Sequence, residues 1–192
     1  VRMCRWLLKK ETIELITSDY YRYIGTTASL FKMFRFTFYN HCFAYTFWLR
    51  IAASEKSLIC KIAKKKLNKL SIKYGLQIPC ETSIGYGLYI GHGIGIIINP
   101  TAIIGNNVNL GQFTTIGANN GKAAIIGDNV YIGPSVCLVE NIKIGDNVTI
   151  GAGAVVVKDV PNNATVAGVP AKIISYKSPG RFINRKWVKY NY

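Results

Sequence analysis

The sequence is poor in carboxylates: 9 Asp and Glu stand against 24 Lys and Arg, a formal charge of +15. Histidine is scarcer still, with only His41 and His92. That excludes a zinc enzyme holding its metal through three imidazoles, and no metal is expected. The five cysteines, Cys4, Cys42, Cys60, Cys80 and Cys137, are scattered and form no C-x-x-C pair. Neither a zinc site nor a disulfide framework is indicated, and a reducing cytoplasm fits. Long apolar runs are missing too. The opening VRMCRWLLKKETIE has only Trp6–Leu8 before Lys9, Lys10 and Glu11, far short of an apolar leader segment, so no secretory signal is expected. The most apolar stretch, Phe36 to Leu49, is shorter than the ~20 residues a spanning helix needs. The chain is expected to lie on a membrane at most, not to cross one.

The cations gather in two flanks. Residues 1–75 hold 15 Lys/Arg and 4 Asp/Glu, residues 76–170 hold 3 and 5, and residues 171–192 hold 6 and none. Such flanks suit nucleic acid, an anionic surface or an acidic substrate, and equally a solvated helix face. No zinc-finger, RNA-recognition or helix-turn-helix signature accompanies them, so nucleic acid is not expected as a partner.

What the middle does have is a rhythm. An aliphatic residue recurs every six positions through Ile78, Ile84 and Ile90, then Ile98, Ile104, Leu110 and Ile116, then Ile126, Ile132, Leu138, Ile144, Ile150 and Val156. Nine of these are followed by Gly, and a second apolar position falls four residues after most of them, as at Leu88, Val108, Val130 and Val148. Neither a helical period of 3.6 nor a strand period of 2 produces this. The reading is a coil of three short strands, one aliphatic per strand pointing into a narrow core. Tight corners carry Gly, Asn106-Asn107, Asp128-Asn129 and Asp146-Asn147. Each coil hides its apolar face only against its neighbours. The rhythm slips twice, by eight residues from Ile90 to Ile98 and by ten from Ile116 to Ile126. Insertions leave a solenoid's core and collect on a face, often the binding face. The first slip contains His92. The second, Ala118 to Ala123, is polar and predicted to protrude.

Residues 1–75 read as a separate, helical and basic unit, with apolar residues at helical spacing and turn signals at Gly25-Thr26 and Asn40-His41. The aromatic stretch from Phe31 to Trp48 suits a helix-bundle core. With Lys32, Arg35 and Lys61–Lys69 beside it, it also suits an interfacial helix on anionic lipid. Residues 76–170 form the coil, and 171–192 form a basic, aromatic tail that either packs back or stays mobile.

The runs IGYGLYIGHGIGIIINPTAIIGNNVNLGQFTTIG, IIGDNVYIGPSVCLVENIKIGDNVTIGAGAVVVKDVP and AGVPAKII resemble the hexapeptide-repeat acyltransferases, close to serine O-acetyltransferases and the polysaccharide O-acetyltransferases. TSDYYRY at 17–23 resembles the polysaccharide branch. The resemblance implies a mainly β fold, a left-handed parallel β-helix behind an N-terminal α-helical region. It implies a homotrimer with active sites between neighbouring coils, and acetyl-CoA as co-substrate.

Acetyl transfer to a hydroxyl needs a base to take the proton as oxygen attacks the thioester, and histidine suits neutral pH. His92 stands where the repeat needs no side chain and matches the catalytic histidine of the family's motif, here Ile90-Gly91-His92-Gly93-Ile94-Gly95; a plain turn residue is the other reading. By resemblance Gln77, fifteen residues upstream, takes the place of the Asp that orients the histidine, with Glu81 as a fallback. Asn119, Asn120 and Lys122 would cover the donor. Gly133, Gly151, Ala152, Ala167 and Gly168 would line the pantetheine arm, and Lys172 would meet a CoA phosphate. Against the serine branch, Gly91 replaces the Asp before the histidine, and Lys122, Ala123 and Ala124 replace an Arg-His pair. These absences lead to the expectation of a carbohydrate acceptor, a sugar hydroxyl of a surface polysaccharide. Serine O-acetylation and a non-catalytic scaffold are the alternatives. A lipid-linked glycan would place the enzyme in the cytoplasm, peripherally at the inner face of the membrane.

Overall fold

The computed structural model describes residues 8–54 and 58–188. Cys4 and Trp6, named above, and the last four residues of the tail lie outside them. Four helices come first: α1 (Lys10–Ile24), α2 (Leu30–Phe36), α3 (His41–Ala53) and α4 (Leu58–Tyr74). Their ends follow local chemistry. Gly25 takes a left-handed φ of 87° and donates its N–H to the Tyr21 carbonyl at 2.7 Å, closing α1. The Asn40 side chain accepts the Phe43 N–H at 2.8 Å, opening α3. Among the described residues no helix is long and apolar enough to cross a membrane.

The coil follows. Its first turn holds β1 (Ser83–Ile84), β2 (Tyr89–Ile90) and β3 (Ile97–Ile98). Its second holds β4 (Ile103–Ile104), β5 (Asn109–Leu110) and β6 (Thr115–Gly117). The third holds β7 (Ile125–Ile126), β8 (Tyr131–Ile132) and β9 (Cys137–Val139). The fourth holds β10 (Lys143–Ile144), β11 (Thr149–Ile150) and β12 (Val155–Val156), and β13 (Thr165–Ala167) and β14 (Lys172–Ser175) close the end. Strands stack in parallel into three sheets, β1-β4-β7-β10, β2-β5-β8-β11-β13 and β3-β6-β9-β12, with β14 antiparallel on β13. The register is direct, Ile104 over Ile126 and Leu110 over Ile132, so the six-residue aliphatics form unbroken columns inside. Ile98, Ile104, Leu110, Ile116, Ile126, Ile132, Leu138, Ile144 and Ile150 are all buried, and so are Leu88, Val108, Val130 and Val148.

Asparagine and aspartate build the corner between the first and second sheets. Asn106 Oδ1 accepts the Tyr86 N–H, Asp128 Oδ1 the Asn106 N–H, Asp146 Oδ1 the Asp128 N–H, and Asn162 Oδ1 the Asp146 N–H, at 2.6–2.8 Å. Beside this ladder Asn107, Asn129, Asn147 and Asn163 take left-handed φ values of 56–66°. These residues tolerate that conformation and return hydrogen bonds to the turn, which is why they recur there.

The helices dock on the first coil through a buried polar seam. Ser18 Oγ accepts the Gly87 N–H at 2.9 Å, and Asp19 Oδ1 accepts the Leu88 N–H at 2.8 Å. Arg50 grips Asp19 through two bonds of 2.8 and 3.0 Å and reaches the carbonyls of Ile84 and Gly85 at 2.8 and 2.6 Å. Arg22 donates to the Gly87 carbonyl at 2.7 Å and to Asn109 Oδ1 at 2.6 Å. Burial pulls its guanidinium down to about 10, against the pull of Asp19. Buried charges persist only when paired in this way. The tail packs back along the asparagine corner. Asn107 exchanges two hydrogen bonds with the Trp187 backbone, Asn109 donates to the Phe182 carbonyl, and Arg185 donates to the Tyr23 carbonyl. It thereby ties the coil to α1.

Candidate active site

The corner between the second and third sheets has one irregular turn. In the later coils it is three residues: Gly111-Gln112-Phe113, Gly133-Pro134-Ser135 and Gly151-Ala152-Gly153, each ending at a positive φ. Backbone bonds fix the correspondence. The Gly91 N–H meets the Leu110 carbonyl at 2.9 Å, the Phe113 N–H the Ile94 carbonyl at 2.9 Å, and the Ser135 N–H the Gln112 carbonyl at 2.8 Å. Ile94 and Gly95 therefore stand over Gln112 and Phe113, and His92-Gly93 is the inserted pair. His92 is exposed, at a left-handed φ of 52°.

The helical unit holds this insertion from below. Tyr23 Oη donates to the Ile90 carbonyl and accepts the Ile90 N–H, both at 3.1 Å. Burial pushes its hydroxyl well above the usual range, so it stays protonated and able to donate. The Gly93 N–H points at Cys42 Sγ, 3.1 Å away. A Cβ at Gly93 would sit 3.0 Å from Ile90 Cγ2 and 3.2 Å from that sulfur, so only glycine passes without displacement. The Gly95 N–H donates to the Tyr74 carbonyl at 2.9 Å, and His41 stacks on the Tyr74 ring at 4.4 Å. His41 thus supports the loop's bed, as its aromatic setting implies. Burial pushes the Cys42 thiol up, so it remains neutral.

The other expected residues divide between two edges of the third sheet. Gln77 bridges Ile97 and extends that sheet past β3; its backbone N–H meets the Ile96 carbonyl at 2.7 Å, and its side chain is exposed. Among the described residues no hydrogen bond joins it to His92. Glu81 is exposed in the turn before β1. Gly133, Gly151, Ala152 and Ala167 line the corner that His92 interrupts, with Gly133 3.1 Å or less from the Gly151–Ala152 backbone for an added Cβ. Gly168 follows with φ 97°, and Lys172 is exposed at the start of β14. Asn119, Asn120 and Lys122 are exposed on the loop at the opposite edge, where the Asn119 N–H meets Glu140 Oε1 at 3.2 Å. Within one chain, then, the imidazole and the corner glycines share one edge, and the polar loop lies across the sheet. Sequence reasoning missed Tyr23, Cys42 and Tyr74, whose contacts are all long-range. Among the described residues no group of His, Cys, Asp and Glu is placed to hold a metal.

Comparison with known proteins fits this geometry. Residues 123–158 match the bacterial transferase hexapeptide (six repeats) family. A serine acetyltransferase of Staphylococcus epidermidis is 38% identical over 129 residues, 65% of this chain and 60% of the relative. The chain spans about a third to three-fifths of the length of the curated relatives it matches. The crystal structure of Neisseria gonorrhoeae serine acetyltransferase in complex with serine superposes with a TM-score of 0.70 at 30% identity, covering 85% of this chain and 69% of that one. A serine acetyltransferase structure in complex with CoA gives 0.67 at 25% identity, covering 85% and 68%.

These relatives overturn the expected carbohydrate acceptor and the assignment to polysaccharide synthesis: they are serine acetyltransferases, and one holds serine. Part of the physical reason lies in TSDYYRY. Ser18, Asp19, Arg22 and Tyr23 are occupied in docking α1 on the coil, so the likeness at 17–23 reports packing and not an acceptor. Polar groups absent at Gly91 and at Lys122, Ala123 and Ala124 do not by themselves identify an acceptor. The coil is the left-handed β-helix of this group, and the chain belongs to the hexapeptide-repeat acyltransferases, close to the serine O-acetyltransferases.

Proposed function

We propose that this protein transfers the acetyl group of acetyl-CoA to the hydroxyl of serine, with His92 as general base. The observation that carries the reading is the inserted pair His92-Gly93, which presents an exposed imidazole from a loop anchored at Ile90, Gly93 and Gly95. The relatives' names, and the neighbours solved with serine and with CoA, support the acceptor and the donor.

The imidazole takes the hydroxyl proton as the serine oxygen bonds to the thioester carbon. The tetrahedral species then collapses, the carbon–sulfur bond breaks, and the imidazolium returns the proton to the leaving thiolate. O-acetylserine and CoA result, with no metal or covalent enzyme intermediate required. A base so placed contributes ~10²–10⁴ in rate. Gln77 is the proposed orienting residue, through its amide oxygen, from its place at the sheet edge beside the loop. The pantetheine arm is assigned to the corner through Gly133, Gly151, Ala152, Ala167 and Gly168. Asn119, Asn120 and Lys122 of an adjoining copy would close over it, and Lys172 would meet a phosphate as a point charge. A homotrimer is supported by the apolar rim of the site. Ile94, Ile97 and Phe113 around His92 are exposed in the single chain, as a surface covered by another copy would be.

The test is release of CoA thiol with free serine as the only acceptor. Serine-dependent release is expected. Acetyl-CoA binding without serine-dependent release would overturn the acceptor. No rise in melting temperature with acetyl-CoA would overturn the enzyme reading altogether and favour a scaffold.

A further inference from the structure

The helical unit carries a feature that acetyl transfer does not use. Helices α2, α3 and α4 hold nine Lys and Arg and no Asp or Glu. Among these cations only Arg50 has a carboxylate partner among the described residues, Asp19. On α2 and just after it, Phe31, Phe38 and Tyr39 are 67%, 73% and 80% exposed, and Phe34 is 37% exposed. Aromatic rings left this bare form a patch of the kind that marks an interaction surface. Cations ring them. Lys32 and Arg35 share a groove with Phe31 and Tyr39 on one side of α2. On the other side a groove of about 320 Å³ puts Lys66 and Lys69 of α4 beside Phe34, Phe38 and Trp48.

We propose that this face docks on an anionic lipid surface, the rings seated at the headgroup boundary and Lys32, Arg35, Lys66 and Lys69 against the lipid charge. Two arguments select this occupant. Exposed aromatics rimmed by Lys and Arg are what an interfacial surface needs: apolar area to bury shallowly and cations to meet anionic headgroups. A second copy of the same face is disfavoured, because a two-fold contact sets each patch against itself and brings cation to cation with no carboxylate on these helices to answer. The proposal does not rest on the reaction assigned above. The face is built from α2 and the Lys66–Leu70 stretch of α4, whereas the His92 loop is held by Tyr23, Cys42 and the carbonyl of Tyr74, the last residue of α4.

The experiment is flotation of the full chain at low salt with phosphatidylcholine vesicles, with and without phosphatidylserine. The protein should float only with the anionic vesicles and be released by salt. Each cation near the surface is worth about fivefold in partition, so replacing Lys32, Arg35, Lys66 and Lys69 by Gln together should cut binding more than about a hundredfold. Phe31→Ser with Phe38→Ser should also abolish flotation. Both sets change exposed residues and should leave melting temperature and thiol release unchanged, while Lys158→Gln with Lys177→Gln should leave flotation unchanged. Protein remaining in the soluble fraction overturns the proposal. Loss with the cation set but not the Phe set also overturns it, since the face would then be a general polyanion site. Self-association abolished by the Phe set, without flotation, would show the occupant to be a second copy.

Discussion

Replacing Arg50 by leucine should unseat the helices from the coil. The side chain is 4% exposed and makes four hydrogen bonds: two to Asp19, one to the Ile84 carbonyl and one to the Gly85 carbonyl. Leucine fills part of the volume but leaves a fully buried carboxylate and two coil carbonyls without their donor. Breaking a buried pair by deleting one partner costs about 3–5 kcal/mol. For a chain of this size 1 kcal/mol moves the melting temperature by ~2–4 °C, so a fall of roughly 10 °C is expected. Because Leu88 still donates to Asp19, and Arg22 lies near, the loss should sit toward the lower end. Asp19→Leu together with Arg50→Leu removes both partners and should recover part of the deficit, the remainder being the pull of Asp19 that the buried Arg22 loses. Thermal unfolding followed by circular dichroism measures this, at one fixed protein concentration because assembly makes the midpoint concentration-dependent. A fall below about 3 °C for Arg50→Leu, or a double variant as unstable as the sum of the singles, would refute the seam as the joint between the two units.

Three further expectations concern the coil, the loop's bed and the donor. Gly111→Ala would put a Cβ 2.7 Å from the Pro134 nitrogen and 2.8 Å from the Gly133 carbonyl carbon, both backbone; destabilisation of at least about 1–3 kcal/mol in urea unfolding is expected, and a neutral result would contradict the stacking of the coils. Cys42, buried and with its thiol pushed up, should resist iodoacetamide in the native protein at neutral pH, while the less buried Cys137 reacts first; mass spectrometry of timed samples reads the order. Lys122→Ala and Lys172→Ala should each raise the KM for acetyl-CoA about two- to fivefold with little change in kcat, as loss of an exposed charge contact does. Unchanged KM in both would remove the lysines from the donor site.

The legible part of the fold was the part written in local spacing. Ile126 to Val156 at intervals of six, with Asp128-Asn129 and Asp146-Asn147 between, already implied strand, corner and inward column, and these residues occupy those places. Gly25 and Asn40 marked helix ends because their chemistry is local. His92 stood out because a repeat exposes whatever breaks it. The bed beneath His92 was not legible. Tyr23, Cys42 and Tyr74 reach Ile90, Gly93 and Gly95 across long stretches of chain, and no spacing rule couples such positions. The same holds for the tail, whose bonds to Asn107 and Asn109 depend on where the coil's corner falls. The acceptor was misread for a related cause. Side chains absent from aligned positions describe one wall of a pocket, and TSDYYRY was fulfilling a packing role.

The central claim is that an imidazole inserted at a corner of the coil removes the serine hydroxyl proton. Steady-state kinetics of His92→Gln with serine and acetyl-CoA tests it most directly, with assembly and melting temperature measured on the same sample. A fall in kcat of about 10²–10⁴ with KM for acetyl-CoA and melting temperature unchanged is the predicted result. A variant turning over serine at the wild-type rate would contradict the account.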